Sequence, residues 1–139
     1  MSYLLDTNVV SEIRRDRDER VRAWANDVAH ADLYLSVLTL GEIRKGIEAL
    51  RTRDPKQAEV FARWLGDLHK RFTSRVLAVD ERVAEEWGRL NAATPRNTVD
   101  SLIAATARVH GLTVATRNTG DFEGCDAQLV NPWTYEPAA

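Results

Sequence analysis

Apolar residues along this chain fall alternately into short unbroken runs and into helical spacings. Tyr3-Leu4-Leu5 is a run that ends on Asp6 and predicts a buried strand. Helical sequence follows over Thr7–Arg15 and again over Asp18–Ala29. Leu33-Tyr34-Leu35-Ser36-Val37 is rich in strand formers. From Thr39 the apolar positions Leu40, Ile43, Ile47 and Leu50 recur at helical spacing, and Pro55 suits the first turn of a further helix through Leu68.

The second half repeats the alternation. Val76-Leu77-Ala78-Val79 predicts a strand, and Asp80 is placed to cap a helix carrying Val83, Trp87 and Leu90 that Pro95 ends. The next helix starts near Thr98, buries Val99, Leu102, Ile103, Thr106 and Val109, and stops at Gly111. Leu112–Ala115 predicts a strand, a polar turn follows over 116–120, and Gln128-Leu129-Val130 predicts the last strand. Such alternation implies an α/β/α domain of three layers, with a mostly parallel central sheet of four to five strands. With no repeat or linker visible, residues 1–139 read as a single domain whose residues from 131 onward form a C-terminal tail.

Composition narrows the class. A chain of 139 residues, 44% hydrophobic and 29% charged, can bury a core without staples. No apolar run reaches bilayer length, and the N-terminus lacks the basic region of a secretory signal, so no membrane association is expected. Cys125 is the single cysteine, which rules out an intrachain disulfide and points to a reducing, cytoplasmic setting. Lysine occurs only at 45, 56 and 70 among many arginines, a skew suggestive of a GC-rich bacterial genome. The net charge of −2 changes meaning once candidate site acids are considered: setting Asp6, Glu42, Asp100 and Asp121 aside leaves +2. Arg14, Arg15, Arg17, Arg20 and Arg22 crowd one stretch, but Asp16, Asp18 and Glu19 dilute it, and a solvated helix face accounts for it. Charge alone neither supports nor excludes an RNA partner.

The four acids take chemically suggestive places on this frame. Asp6 ends the first strand and Asp121 follows the turn after the fourth; sites in open α/β sheets form outside the carboxyl ends of strands. Asp100 and Glu42 each project roughly 110° from the centre of their helix's apolar face, as residues flanking a cleft do. Singly, each has a structural reading as well: Asp6 as a helix cap, Asp100 as a partner of the helix dipole, Asp121 in an Asx turn, Glu42 as a solvated residue.

The motifs around these acids resemble one family. Leu4-Leu5-Asp6-Thr7-Asn8-Val9-Val10-Ser11-Glu12 resembles the opening of PIN-domain proteins, and within them VapC-type toxins of the FitB-like branch. Leu40-Gly41-Glu42-Ile43 resembles that family's second acidic motif, and Asp100–Ala107 the third. His110-Gly111-Leu112 and Val114–Asn118 lead to Gly120-Asp121-Phe122, which resembles the fourth. The motifs occur in order from residue 4 to 122.

The resemblance implies the toxin of a type II toxin–antitoxin pair, acting as an endoribonuclease that depends on Mg²⁺, with Mn²⁺ able to substitute. It implies Asp6, Asp100 and Asp121 as metal-site carboxylates, and Glu42 as a further ligand or as the group that orients and deprotonates water. Thr116 and Asn118 match the family's polar loop and would orient water or carboxylate. Thr7 and Asn8 would do so too, although capping the first helix is the simpler role. Arg117 faces either a phosphate or solvent. Similar proteins form homodimers and bind a small antitoxin that blocks the acidic pocket. The helices between Val21 and Leu68, with Trp24 and Trp64, offer either a groove for it or plain core.

Other chemistries find less support. His30, His69 and His110 show no zinc-ligand spacing, no phosphate-binding glycine loop is present, and Cys125 has no nucleophile signature. A dehalogenase-like phosphatase would carry a second aspartate where this chain has Asn8. Two alternatives remain within the fold: a PIN nuclease acting on DNA, and an idle PIN-fold binding module.

Overall fold

The computed structural model describes residues 1–92 and 96–138. Five strands, β1 (Tyr3–Leu5), β2 (Leu33–Ser36), β3 (Val76–Leu77), β4 (Thr113–Ala115) and β5 (Leu129–Val130), form one sheet in the order β3-β2-β1-β4-β5. Every pairing is parallel, with Leu4 opposite both Tyr34 and Val114 and Leu5 opposite Ala115. Chain order runs outward from β1 in both directions. The carboxyl ends of β1 and β4 therefore border the crevice where strand order reverses.

Strand alternation sorts the core into two layers. Leu5, Leu33, Leu35 and Ala115 pack with helices α1 (Thr7–Arg15), α2 (Glu19–Asp27), α3 (Val37–Leu50) and α4 (Pro55–Arg71). Leu4 and Val114 point the other way, onto α6 (Thr98–His110), with Leu90 of α5 (Glu81–Asn91) beside them. Trp24, 2% exposed, packs edge-on against Tyr3 with ring centroids 5.1 Å apart, so it is core rather than groove. Leu4, Leu35 and Val114 are wholly excluded from solvent, as strands covered on both faces require.

Helix boundaries follow local chemistry. Asp6, Asp18, Ser36, Asp54, Asp80 and Asn97 each accept a main-chain N–H in the first turn of the helix that follows. Ser36 also ends β2 one residue before the expected end, and α3 begins at Val37 rather than Thr39, because its hydroxyl oxygen accepts from Leu38 N at 3.0 Å. β3 is shorter than expected: Val79 lies outside it and is 37% exposed. The helix break expected at Pro95 lies outside the described residues. The segment read as a tail from 131 is docked through Tyr135. Pro132–Thr134 forms a 3-10 turn capped by Asn131, Trp133 and Tyr135 pack on the core, and the Tyr135 hydroxyl donates to Asp27 of α2.

The sharpest difference from expectation is in α6. Its buried positions are Ser101, Ile103, Ala104, Ala105, Thr106 and Ala107, while Val99, Leu102 and Val109 are only partly covered. Small residues let this helix lie close to the sheet. The large apolar ones that drew the expected face sit toward its sides. Gly111 ends α6 at φ 67°, and a Cβ added there would meet no atom within 4 Å. Gly111→Ala should therefore cost about 1 kcal/mol from backbone strain alone. Urea denaturation should show a lower midpoint with unchanged slope; an unmoved midpoint would contradict this account of the cap.

Candidate active site

Asp6 is the pivot of the crevice. It follows β1 directly, and its main-chain N–H donates to Ala115 O of β4 at 2.9 Å, continuing the sheet for one more residue. Its side chain is 9% exposed and accepts hydrogen bonds on both oxygens. Oδ1 takes the N–H of Thr7 at 2.8 Å. Oδ2 takes the Thr116 hydroxyl at 2.8 Å and the Asn8 side-chain amide at 3.3 Å. The helix cap and the proposed site residue are thus one carboxylate, and the two readings do not compete.

The residues around it knit the first and fourth strand exits together. Thr116 Oγ1 also accepts from Asn118 N at 3.1 Å, and Asn8 Oδ1 accepts from Arg117 N at 3.3 Å. Asn118 and Arg117 therefore contribute through main-chain groups. The Arg117 guanidinium itself lies over the Trp133 ring, 5.1 Å from its centroid. Thr7 is not a cap: its hydroxyl donates to Glu42 Oε1 at 2.7 Å, reaching from α1 to α3. Asn8 is not one either, since it bridges Asp6 and Arg117. Of the two roles expected for each, orienting a carboxylate is the one the geometry favours; capping is the simpler expectation because partners 35 and 109 positions away have no local signature.

The remaining acids come from three further elements. Glu42 lies at the exposed edge of α3, beside the buried stripe of Thr39, Leu40, Ile43 and Ile47, as its angle predicted. Asp100 stands in the first turn of α6, where Asn97 Oδ1 accepts its N–H at 3.1 Å. Against the expected 110° offset, it lies within about 60° of Ile103, Ala104 and Ala107, at the head of the buried stripe. Asp121 sits on the 3-10 turn Thr119–Phe122, fixed by its N–H to Asn118 O at 3.0 Å and by the buried Phe122 ring.

Electrostatics show that the four share one field. Burial raises the Asp6 carboxyl above the usual range, against the pull of its Thr116 and Thr7 hydrogen bonds, and the charges of Glu42 and Asp121 push it the same way. Asp100 is pushed up to about 6, first by burial and then by the charges of Asp6, Asp121 and Glu42. Among the described residues, no three His, Cys, Asp or Glu side chains stand close enough to ligate one ion together. The donors are all carboxylate oxygens crowded by like charge. They suit a hard cation held through one or two carboxylates and several waters, which is the habit of Mg²⁺.

An arginine absent from the sequence-based site also bears on it. Arg96, just before α6, donates from Nη1 to Glu123 O at 2.7 Å and from Nη2 to Gly124 O at 3.2 Å. It so ties the segment leading to Asp100 to the loop just past Asp121. A Cβ on Gly124, which has φ +77°, would meet Arg96 Nη2 at 2.7 Å. The glycine after Asp121 is the only hint of this clamp in the sequence.

Comparison with known proteins agrees with this architecture. The PIN domain family model matches residues 3–126, and the chain belongs to that family. It is similar to Toxin FitB of Neisseria gonorrhoeae, with 39% identity over 136 residues covering 94% of this chain and 97% of that one. It is also similar to the VapC ribonuclease Y4jK of Sinorhizobium fredii, with 36% identity over 97% of this chain and 99% of that one. Among solved structures, FitAcB from Neisseria gonorrhoeae superposes with a TM-score of 0.87 at 38% identity, covering 95% of this chain and 99% of that one.

The raised Asp100 carboxyl gives a pH dependence of definite sign. Without divalent metal, the folded chain holds this proton more tightly than the unfolded chain, whose aspartates titrate near about 3.9. Asp100 therefore favours folding below that pH, and the contribution is lost as pH rises through about 6. Asp100→Asn should melt higher than the parent at pH 7.5, and the gap should close toward pH 4. A gap independent of pH would mean that Asp100 is not in the shared field.

Proposed function

We propose that this chain is the toxin of a type II toxin–antitoxin pair, a metal-dependent endoribonuclease that cuts RNA by hydrolysis. The observation that carries the reading is the convergence of Asp6, Glu42, Asp100 and Asp121 on one field at the strand-order reversal. It occurs in a chain similar along almost its whole length to FitB and to a protein named a VapC ribonuclease.

Asp6, Asp100 and Asp121 would hold a Mg²⁺ or Mn²⁺ ion, one or two of them directly and the rest through its waters, with Glu42 at its edge. Such an ion, when bound, acidifies a water and offsets charge on the scissile phosphate. The chain's own residues do the rest. Thr116 and Thr7 N–H fix the Asp6 carboxylate in one rotamer, so it is preset for its ligand. Asp100, pushed up to about 6 by burial and its acidic neighbours, would be mostly anionic at neutral pH and wholly so once a cation relieves the crowding. The Thr7 hydroxyl holds Glu42 Oε1, leaving Oε2 to orient the attacking water and accept its proton.

The partners follow from the same likeness. A relative is named Toxin FitB, and this chain, as a toxin of that kind, would be held by a small antitoxin that covers the acidic crevice. We also infer a homodimer. The outer face of α3, where Val37 is 39% exposed beside Gly41, Lys45 and Ala49, together with Val99, offers a largely apolar surface next to Glu42. No helix among the described residues is long and apolar enough to cross a membrane.

Purified protein with Mg²⁺ or Mn²⁺ should cleave RNA and leave matched DNA intact. Asp6→Asn and Asp100→Asn should each lower kcat by at least about 100-fold while folding normally. Products should carry 5′-phosphate and 3′-hydroxyl ends; 2′,3′-cyclic phosphate would exclude attack by water, and full activity in both variants would remove the site assignment. Binding to the native state should also raise the thermal midpoint by about 9 °C at Mn²⁺ near 100 times its Kd. The absence of that shift at ion concentrations supporting cleavage would count against a shared acidic site.

A further inference from the structure

The basic stretch at the end of α1 divides in three dimensions. Arg22 pairs with Asp16 at 2.6 Å, and Arg20 with Glu136 at 3.8 Å. Arg14 and Arg15 make no ion pair among the described residues, nor does Arg53 beyond α3. All three of these unpaired arginines line one groove of about 430 Å³ between α1, α3 and α4.

The groove begins at the acids. Thr7 and Glu42, joined by their 2.7 Å hydrogen bond, form one end of it. Thr7, Ser11, Arg14 and Arg15 fall on a single face of α1, so at 1.5 Å per residue the arginines lie about 10–12 Å along the groove from the acidic end. Ile43, Ile47 and Leu50 of α3 supply an apolar wall. Arg14 is stacked, its guanidinium carbon 4.1 Å from the Phe61 ring centroid and 5.4 Å from that of Trp64. Only Glu42 contributes a negative charge to the lining.

We propose that this groove is the binding subsite for the single-stranded RNA that flanks the cut bond, with Arg15 and Arg53 on its phosphates and a base stacked on Arg14. The inference rests on the ribonuclease reading and extends it to the substrate path. Four acids repel a polyanion, so the strand needs cationic anchors away from the cut. The groove places them about three stacked nucleotides away at 3.4 Å each. A guanidinium already flattened on an aromatic ring presents its other face to a base, the mode by which unpaired RNA bases are read. The volume suits a nucleotide, within the roughly 300–1,000 Å³ of ordinary ligand pockets. A duplex would keep its bases stacked inside, so the strand is single.

The test measures binding apart from cleavage. Asp100→Asn protein, unable to cut, is titrated with a fluorescein-labelled single-stranded RNA at several salt concentrations with Mg²⁺ present. Adding Arg15→Ala and Arg53→Ala should weaken binding at least about tenfold and reduce the slope of log affinity against log salt by about 1.4, the loss of two phosphate contacts. Phe61→Leu should weaken binding and leave that slope unchanged, whereas Arg89→Ala, on α5, should change nothing. Thermal midpoints confirm that each variant is folded. Undiminished binding in the Arg15/Arg53 variant overturns the subsite while leaving the ribonuclease reading intact. Loss of affinity for a protein partner with RNA binding unchanged overturns it too, assigning the groove to that partner. Failure of the Asp100→Asn protein to bind RNA at low salt overturns both readings together.

Discussion

The Asp6 carboxylate is the interaction on which the rest of the site depends. A nearly buried anion at the end of the central strand is costly unless its oxygens are satisfied, and here both are. Its three donors come from the turn after β1 and the turn after β4, so satisfying one charge also fixes the two segments that border the crevice. Removing Thr116 would leave Asp6 Oδ2 to the weaker Asn8 bond at 3.3 Å and loosen the join between strands that meet only at short pairings. Cap, strand extension and proposed metal ligand are one group.

Around that pivot the fold concentrates like charge. Two carboxylates about 4 Å apart repel by roughly 4 kcal/mol at an effective dielectric of 20, and packing, not attraction, brings these four near one another. Phe122 seats the loop of Asp121, the small buried residues of α6 seat Asp100, and the Thr7 hydroxyl holds Glu42. The chain without a cation is consequently strained electrostatically at neutral pH. A hard ion, or a basic group from a partner, would relieve the same strain, so under the proposed function one crevice would serve both a metal-assisted reaction and its inhibition.

The arginines complete the charge pattern at a distance. Acids occupy the strand exits, and unpaired cations lie about two helical turns away along α1 and just beyond the end of α3. Two arginines of the same stretch, Arg20 and Arg22, are instead paired with acids that the fold brings beside them, Glu136 and Asp16. The small negative net charge therefore says little about the surface that a polyanion would meet.

Much of this was legible in the residues because it is local. Apolar runs ending in Asp6 or at Ala115, caps such as Ser36 and Asp80, and the left-handed stop at Gly111 depend on neighbours within a few positions, and most elements form near their expected limits, the short β3 excepted. The four acids were legible as a set through their ordered motifs and through their places at strand exits and helix edges. What tertiary structure alone decided is long-range. The angle of Asp100 depended on α6 burying alanines rather than its larger side chains, which a count of apolar residues weights the wrong way. The roles of Thr7 and Asn8 depended on Glu42 and Arg117, and the docking of Trp133 and Tyr135 on the core depended on residues far from them in the chain. Periodicity carries what a residue's own helix or strand demands of it; which distant charge or hydroxyl it meets is set only when the sheet brings β1 beside β4.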